Sequence, residues 1–63
     1  MTQIEERHVN ETAAAIFLGV KVTTLRDWRF RKRGPEFCRF GRAVRYPVHG
    51  LEQYAAQSTV LPQ

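Results

Sequence analysis

Residues 10–31, NETAAAIFLGVKVTTLRDWRFR, decide the fold of this 63-residue chain. Asn10 is a good N-terminal cap, because its side-chain oxygen can accept a hydrogen bond from an otherwise unpaired N–H in the first helical turn. A short helix is therefore predicted over residues 12–18. Gly19 ends it, because glycine adopts the left-handed conformation without a side-chain clash.

A second helix is predicted over residues 22–31, after a three-residue turn. Its inward stripe follows the spacing i, i+3, i+6 and i+7. The stripe consists of Val22, Leu25 and Trp28, with Arg29 at its margin. We expect Trp28 to be the central packing residue, because its ring buries more surface than any other side chain. Two helices joined by a short glycine-containing turn are typical of a helix-turn-helix, whose second helix enters the major groove of DNA.

The sequence that follows predicts a β-hairpin. Strands are expected at residues 37–40 and 43–46, around the two-residue turn Gly41-Arg42, and glycine in the first position is typical of a type II′ turn. Pro47 is expected to end the second strand. The hairpin would be a wing beside the second helix.

These elements predict an α+β fold, a small winged helix-turn-helix of three short helices and a two-stranded β-hairpin wing. The third helix is expected at about residues 49–57, and residues 7–9 form an extended segment before the first helix. The DNA-binding domain is assigned to residues 7–57. Residues 1–6 are expected to be a flexible N-terminal tail and residues 58–63 a C-terminal tail.

Basic residues are concentrated in one segment. Residues 21–45 hold nine basic and two acidic residues, a net charge of +7, whereas the remainder holds one basic and four acidic residues. A charge pole of this kind attracts a polyanion, and arginine forks onto phosphates and guanine edges. Duplex DNA is therefore the expected partner. The candidate DNA-binding residues are Lys21, Thr23, Thr24, Arg26 and Arg29 on the second helix and Arg39, Arg42 and Arg45 on the wing.

Lys21 stands where a capping residue would begin the second helix. Its side chain cannot accept a hydrogen bond from the exposed N–H groups, and its charge opposes the helix dipole. Losing a cap costs about 0.5–2 kcal/mol. We therefore expect a phosphate group near this helix start to compensate.

Other classes of function are disfavoured. A chain this short has little interior for a dry active site, so no enzyme activity is expected. Cys38 is the single cysteine, and His8 and His49 lie far apart in the sequence, so no metal site or cofactor is predicted. No apolar run approaches the roughly 20 residues of a membrane span, and the polar, acidic N-terminus does not resemble a secretory signal. A cytoplasmic protein is expected.

A set of short motifs extends over residues 7–57. It comprises Ala14-Ala15, Phe17-Leu18-Gly19-Val20, Thr24-Leu25, Trp28-Arg29, Gly34-Pro35, Phe37, Phe40-Gly41-Arg42, Val44-Arg45-Tyr46 and Leu51. Together these motifs resemble the MerR-like winged-helix family, in its excisionase and AlpA-type branch. Two positions depart from that pattern: Ala13, where the family often has an acidic residue, and His49-Gly50, where it tends to have serine and aspartate.

The resemblance implies a major-groove role for the second helix and a minor-groove role for the hairpin. It also implies a bacterial or phage-encoded, nucleoid-associated protein. As an excisionase (a recombination directionality factor), such a protein binds repeated sites, bends DNA and helps an integrase to excise a mobile element. A full-length regulator would carry an effector or dimerisation domain, so we expect the excisionase role rather than a ligand-sensing one.

One module of this size buries only about 600–1,000 Å² on DNA, so several copies are expected on adjacent sites. Phe30, Val60 and Leu61 are the candidate contacts to another copy or to an integrase, although Phe30 is alternatively plain surface or an apolar contact with DNA. Two other functions stay open. One is a small AlpA-type transcriptional regulator, and the other is a protein-interaction module such as an anti-repressor, whose basic face would meet an acidic partner.

Overall fold

The computed structural model describes residues 7–60, which form three helices and a small three-stranded antiparallel sheet. In chain order the elements are β1 (His8–Val9), α1 (Glu11–Leu18), α2 (Val22–Phe30), β2 (Cys38–Phe40), β3 (Ala43–Pro47) and α3 (Val48–Gln57). The predicted α+β class is confirmed, and the β2–β3 hairpin is compatible with a wing. The N-terminal tail at 1–6 and part of the C-terminal tail, 61–63, lie outside the described residues.

Helix α1 is bounded as the sequence predicts. The backbone N–H of Ala13 donates to Asn10 Oδ1 at 2.9 Å, and Gly19 has the left-handed φ of 72°. The helix begins at Glu11, one residue earlier than the predicted range. Both ends depend on contacts between residues close in sequence, which is why the sequence alone predicts them.

Helix α2 ends at Phe30, one residue earlier than predicted. Lys21 is the N-cap and makes no side-chain capping bond, so the predicted lack of a cap is confirmed. After the helix the chain reverses through Lys32, with a φ of 59°, and Gly34, with a φ of 91°. A Cβ atom on Gly34 would lie 2.8 Å from the Trp28 ring. This position therefore requires glycine both for its positive φ and for lack of space.

The sheet contains one strand more than the two predicted. Strand β1 pairs antiparallel with β3, with His8 opposite Pro47 and Val9 opposite Tyr46. Because β2 pairs with the other edge of β3, the strand order is β1-β3-β2. Two residues are too few to show a strand propensity in the sequence. Strand β1 forms because its backbone pairs with β3. The predicted two-stranded hairpin is present as β2–β3, and β1 adds a third strand on the other edge of β3.

The hairpin itself lies close to its predicted position. Gly41 has a φ of 64° and Arg42 has no positive φ, in agreement with the predicted type II′ turn. Strand β2 begins at Cys38 rather than residue 37, and β3 includes Pro47, which the sequence placed after the strand. Pairing with β1 extends β3 by this residue, and α3 follows at once from Val48.

Within residues 7–60, the core consists of five buried side chains where the helices meet the sheet. They are Ala14, Ala15, Leu25, Tyr46 and Leu51. Trp28 is only half-buried and packs at the edge of the core against Tyr54, with ring centroids 5.7 Å apart. The expectation of a central Trp28 is therefore wrong. Tyr46 is the largest fully buried side chain instead, because β3 runs between two strands and directs this ring into the core.

Candidate nucleic-acid interface

The outer face of α2 carries most of the predicted helix residues. Thr23 and Arg26 are exposed there, and Thr24 is half-buried beside them. Lys21, directly before the helix, is also exposed. Leu25 is completely buried, so the inner face is fixed against the core. The period of the helix thus directs Arg26 outward while its neighbour Leu25 anchors the element.

Arg26 forms an ion pair with Glu11 across the two helices. Arg26 Nη2 lies 2.6 Å from Glu11 Oε2, and Arg26 Nε lies 3.2 Å from the same oxygen. The Arg26 side chain is 60% exposed and that of Glu11 is 24% exposed. Only the Nε–Nη2 edge of the guanidinium is used by this carboxylate. Nη1 of Arg26 takes no part in this ion pair.

Arg29 is held by protein contacts on several sides. Its Nη1 donates to Tyr46 Oη at 2.7 Å, and its Nη2 donates to Glu11 Oε1 at 3.2 Å. Its guanidinium carbon also lies 5.7 Å from the centroid of the Phe37 ring. The side chain is only 18% exposed. Arg29 therefore ties α2 to the sheet, and its predicted role as a DNA contact stays a prediction.

Glu11 connects the two arginines and was missing from the predicted site. Its carboxyl pKa is lowered, first by the hydrogen bond from Arg26, while burial opposes this and the bond from Arg29 adds to it. The same contact raises the pKa of Arg26. An acid in the first turn of a helix suits the helix dipole, and this local role does not indicate a distant partner. Because its partners lie 15 and 18 residues away, no local pattern indicates the pairing.

The three wing arginines do not share one face of the hairpin. Arg39 stands opposite Val44 and so lies on the core-facing side, where its guanidinium is 5.8 Å from the Phe37 ring centroid. Arg45 lies on the other face, is half-buried and donates from Nη1 to the Val44 carbonyl at 2.9 Å. Arg42 occupies the turn and is exposed.

An open cleft separates the start of α1 and the face of α2 from the hairpin, and we call it the helix–wing cleft. It is lined by Asn10, Glu11, Thr12, Arg26, Arg29, Arg42, Ala43, Val44 and Arg45. The fold thus brings four of the predicted site residues around one opening. Arg39 instead lines a groove along the end of α2, together with Arg29, Lys32, Arg33 and Phe37.

Two of the predicted protein contacts are exposed apolar side chains that follow different helices. Phe30 is 86% exposed at the end of α2, and Val60 is 90% exposed after α3. Leu61 lies outside the described residues. Two further apolar side chains that the sequence did not single out are exposed on α1, namely Ile16 and Phe17.

Within residues 7–60, no three His, Cys, Asp or Glu side chains are grouped so that they could hold a metal ion. None of the helices between those residues is long and apolar enough to cross a membrane. No family model matches the chain, and no curated protein matches it significantly. Its function is therefore inferred from the residues and geometry of the chain itself.

Proposed function

We propose that this protein binds duplex DNA as a winged helix-turn-helix, with α2 in the major groove and the β2–β3 hairpin beside it. The observation that carries this proposal is the helix–wing cleft, where Arg26 of α2 faces the same opening as Arg42 and Arg45 of the hairpin. The sugar–phosphate backbone of DNA runs between the major and minor grooves. Arginines on two elements around one cleft can therefore contact the phosphates of the same strand.

The distribution of charge supports one orientation on DNA. The segment of net charge +7 comprises α2, the turn after it and most of the hairpin. Helix α3 holds Glu52 and no lysine or arginine. A polyanion would therefore approach the α2 and hairpin side, and the α3 side would point away.

The start of α2 supports a further phosphate contact. Helices bind anions at their N-termini because several backbone N–H groups there have no partner within the helix. Lys21 provides no capping bond and is exposed. A phosphate at this position would receive both the N–H groups and the ammonium charge, in line with the expectation from the sequence.

The biological role we propose is that of an excisionase-type architectural protein, cytoplasmic and nucleoid-associated. Support for it comes from the sequence resemblance and from the exposed Phe30, which could contact a second copy or an integrase. Further copies on adjacent sites would offset the small DNA contact area of one module. A transcriptional regulator would present the same surface to DNA. Parallel excision and transcription assays on the DNA around the coding region distinguish the two.

Salt titration of duplex binding tests the proposal directly. Contacts to about six phosphates should give a slope near −5 in log affinity against log salt. Replacing Arg42 with alanine should weaken binding to all duplexes about equally and lower the slope by about one, whereas Arg26→Ala should mainly reduce sequence preference.

Arg7→Ala is the matched control, because Arg7 lines a groove between α1 and α3, away from the helix–wing cleft. It removes the same charge as Arg42→Ala. Equal effects of the two variants would contradict the proposed interface. Salt-independent binding would contradict DNA recognition and favour the alternative of a protein-interaction module.

A further inference from the structure

We infer that Glu11 is a specificity-determining residue, which holds Arg26 so that the outer edge of its guanidinium is presented to a guanine. This inference rests on the proposed DNA binding and assigns a function to a residue of α1 that would not itself enter the groove. It is carried by the geometry of the ion pair and by the chain of contacts that fixes Glu11.

The geometry leaves Arg26 able to bind Glu11 and a base at the same time. A guanidinium has five N–H donors in a planar fork. Glu11 accepts from Nε and from one side of Nη2, at 3.2 and 2.6 Å. The donors on Nη1 and on the outer side of Nη2 remain. Guanine O6 and N7 together accept two hydrogen bonds in the major groove, so these remaining donors are sufficient for a bidentate contact.

Glu11 is itself fixed from both sides. Asn10 caps the helix turn in which Glu11 lies. The carboxylate also accepts a bond from Arg29, and Arg29 in turn donates to the hydroxyl of the completely buried Tyr46. A continuous chain of contacts therefore runs from the core to the exposed guanidinium of Arg26. A side chain held in this way loses less rotamer freedom when a base binds it.

The negative charge of Glu11 has a second, opposite effect. A carboxylate in the helix–wing cleft repels phosphates and neutralises part of the charge of Arg26. Glu11 should therefore weaken binding to DNA of any sequence while it sharpens the choice between sequences. A purely structural role would not produce these two effects together.

The test is selection from a pool of duplexes with a randomised centre, using the full chain. The wild type should enrich a motif with a guanine whose enrichment disappears in Arg26→Ala. Glu11→Gln should bind unselected duplexes at least as tightly as the wild type. Its preference for that guanine should fall about fivefold or more, since a good bidentate contact discriminates by at least that factor.

Glu52→Gln is the matched control, because it removes the same charge from an exposed position on α3. It should select the same motif as the wild type. Circular dichroism spectra and melting curves show whether Glu11→Gln remains folded. Glu11→Asp is the second variant: it keeps the charge but shortens the reach to Arg26 and Arg29, so its guanine preference should also fall.

Two results would overturn the inference while DNA binding stands. One is a Glu11→Gln protein that selects as sharply as Glu52→Gln. The other is a wild-type protein that binds duplexes without base preference. If the wild type binds no duplex at all, the proposed function fails first and the inference fails with it, so the salt titration separates the two failures.

Discussion

Helices α1 and α2 differ by one residue in length, yet their ends are built in opposite ways. Helix α1 begins with a capping bond from Ala13 N to Asn10 and carries the acidic Glu11 in its first turn. Helix α2 begins at Val22, and its N-cap Lys21 makes no side-chain capping bond; its first turn holds no acid. The first turn of α1 is therefore capped by a side chain, whereas the first turn of α2 has no side-chain cap.

Under the proposed function, this difference assigns α1 to the fold and the start of α2 to a phosphate of the DNA. Unpaired N–H groups at a helix N-terminus lower the stability of the fold. They form a binding site when a phosphate accepts hydrogen bonds from them. The acid of α1 is used across the helix pair as well, because Glu11 binds Arg26 and Arg29 of α2. Glu11 of α1 thus positions the side chains of Arg26 and Arg29 on α2.

The largest expected effect concerns the two glycines that follow these helices. Gly34→Ala should destabilise the fold by about 2–5 kcal/mol, since the left-handed conformation costs about 1–2 kcal/mol and overpacking about 1–3 kcal/mol. The overpacking arises because the new Cβ would lie 2.8 Å from the Trp28 ring. Urea denaturation followed by circular dichroism measures the change.

Gly19→Ala is the matched control, because Gly19 also has a positive φ but a Cβ added there would meet no neighbouring side chain within 4 Å. It should cost only the conformational part, about 1–2 kcal/mol. Equal losses in the two variants would show that the contact with Trp28 does not matter.

The next effect tests the two helix starts directly. Asn10→Ala should lower the free energy of unfolding by about 0.5–2 kcal/mol and leave the salt dependence of DNA binding alone. Lys21→Ser should raise stability by up to about 1 kcal/mol by supplying a cap. It should also weaken DNA binding and reduce the salt slope by about one. Unchanged DNA affinity and salt dependence in Lys21→Ser would refute a phosphate at this helix start.

The smallest effect is the pH dependence that Glu11 confers. Its carboxyl pKa is lowered from 4.5 by the hydrogen bond from Arg26, so folding favours the charged form. The stabilisation is therefore present above the ordinary pKa and is lost as the pH falls through the lowered one.

Melting temperatures of the wild type and Glu11→Gln, compared between neutral pH and acid, measure this effect. The difference between them should be steady at neutral pH and shrink as the pH falls below about 4.5. Effects of pH that do not involve Glu11 are common to both proteins and cancel in the comparison. A difference that does not change with pH would mean that the ion pair contributes nothing to stability, as many exposed pairs do.

Much of the fold follows from short-range chemistry. Asn10, Gly19 and the turn at Gly41-Arg42 act on residues within a few positions, and each was predicted where the structure has it. Strand β1 and the burial of Tyr46 were missed. Both arise from the pairing of β3 with residues more than 30 positions away, which no local propensity encodes.

The site was predicted less completely than the fold. The arginines were predicted because a cluster of basic residues can be read directly from the sequence. The helical spacing also placed Arg29 at the margin of the inward stripe of α2. The sequence did not reveal that Arg29 bonds to Tyr46 or that Glu11 binds both arginines. It also did not separate Arg39 from Arg45, which point to opposite faces of the hairpin.

The sequence by itself determined, to within one residue, where the helices begin and end, and it determined where the hairpin turns and which segment carries the positive charge. Caps and turn glycines act on neighbouring residues, and net charge is a sum over the sequence, so none of these depends on the tertiary structure. Tertiary structure alone decided which charges meet. Helix α1 is held beside α2 because Ala14 and Ala15 of α1 share one core with Leu25 of α2 and with Tyr46. An ion pair between residues 11 and 26 forms because packing holds them within hydrogen-bond reach, and such distances are set by the whole core.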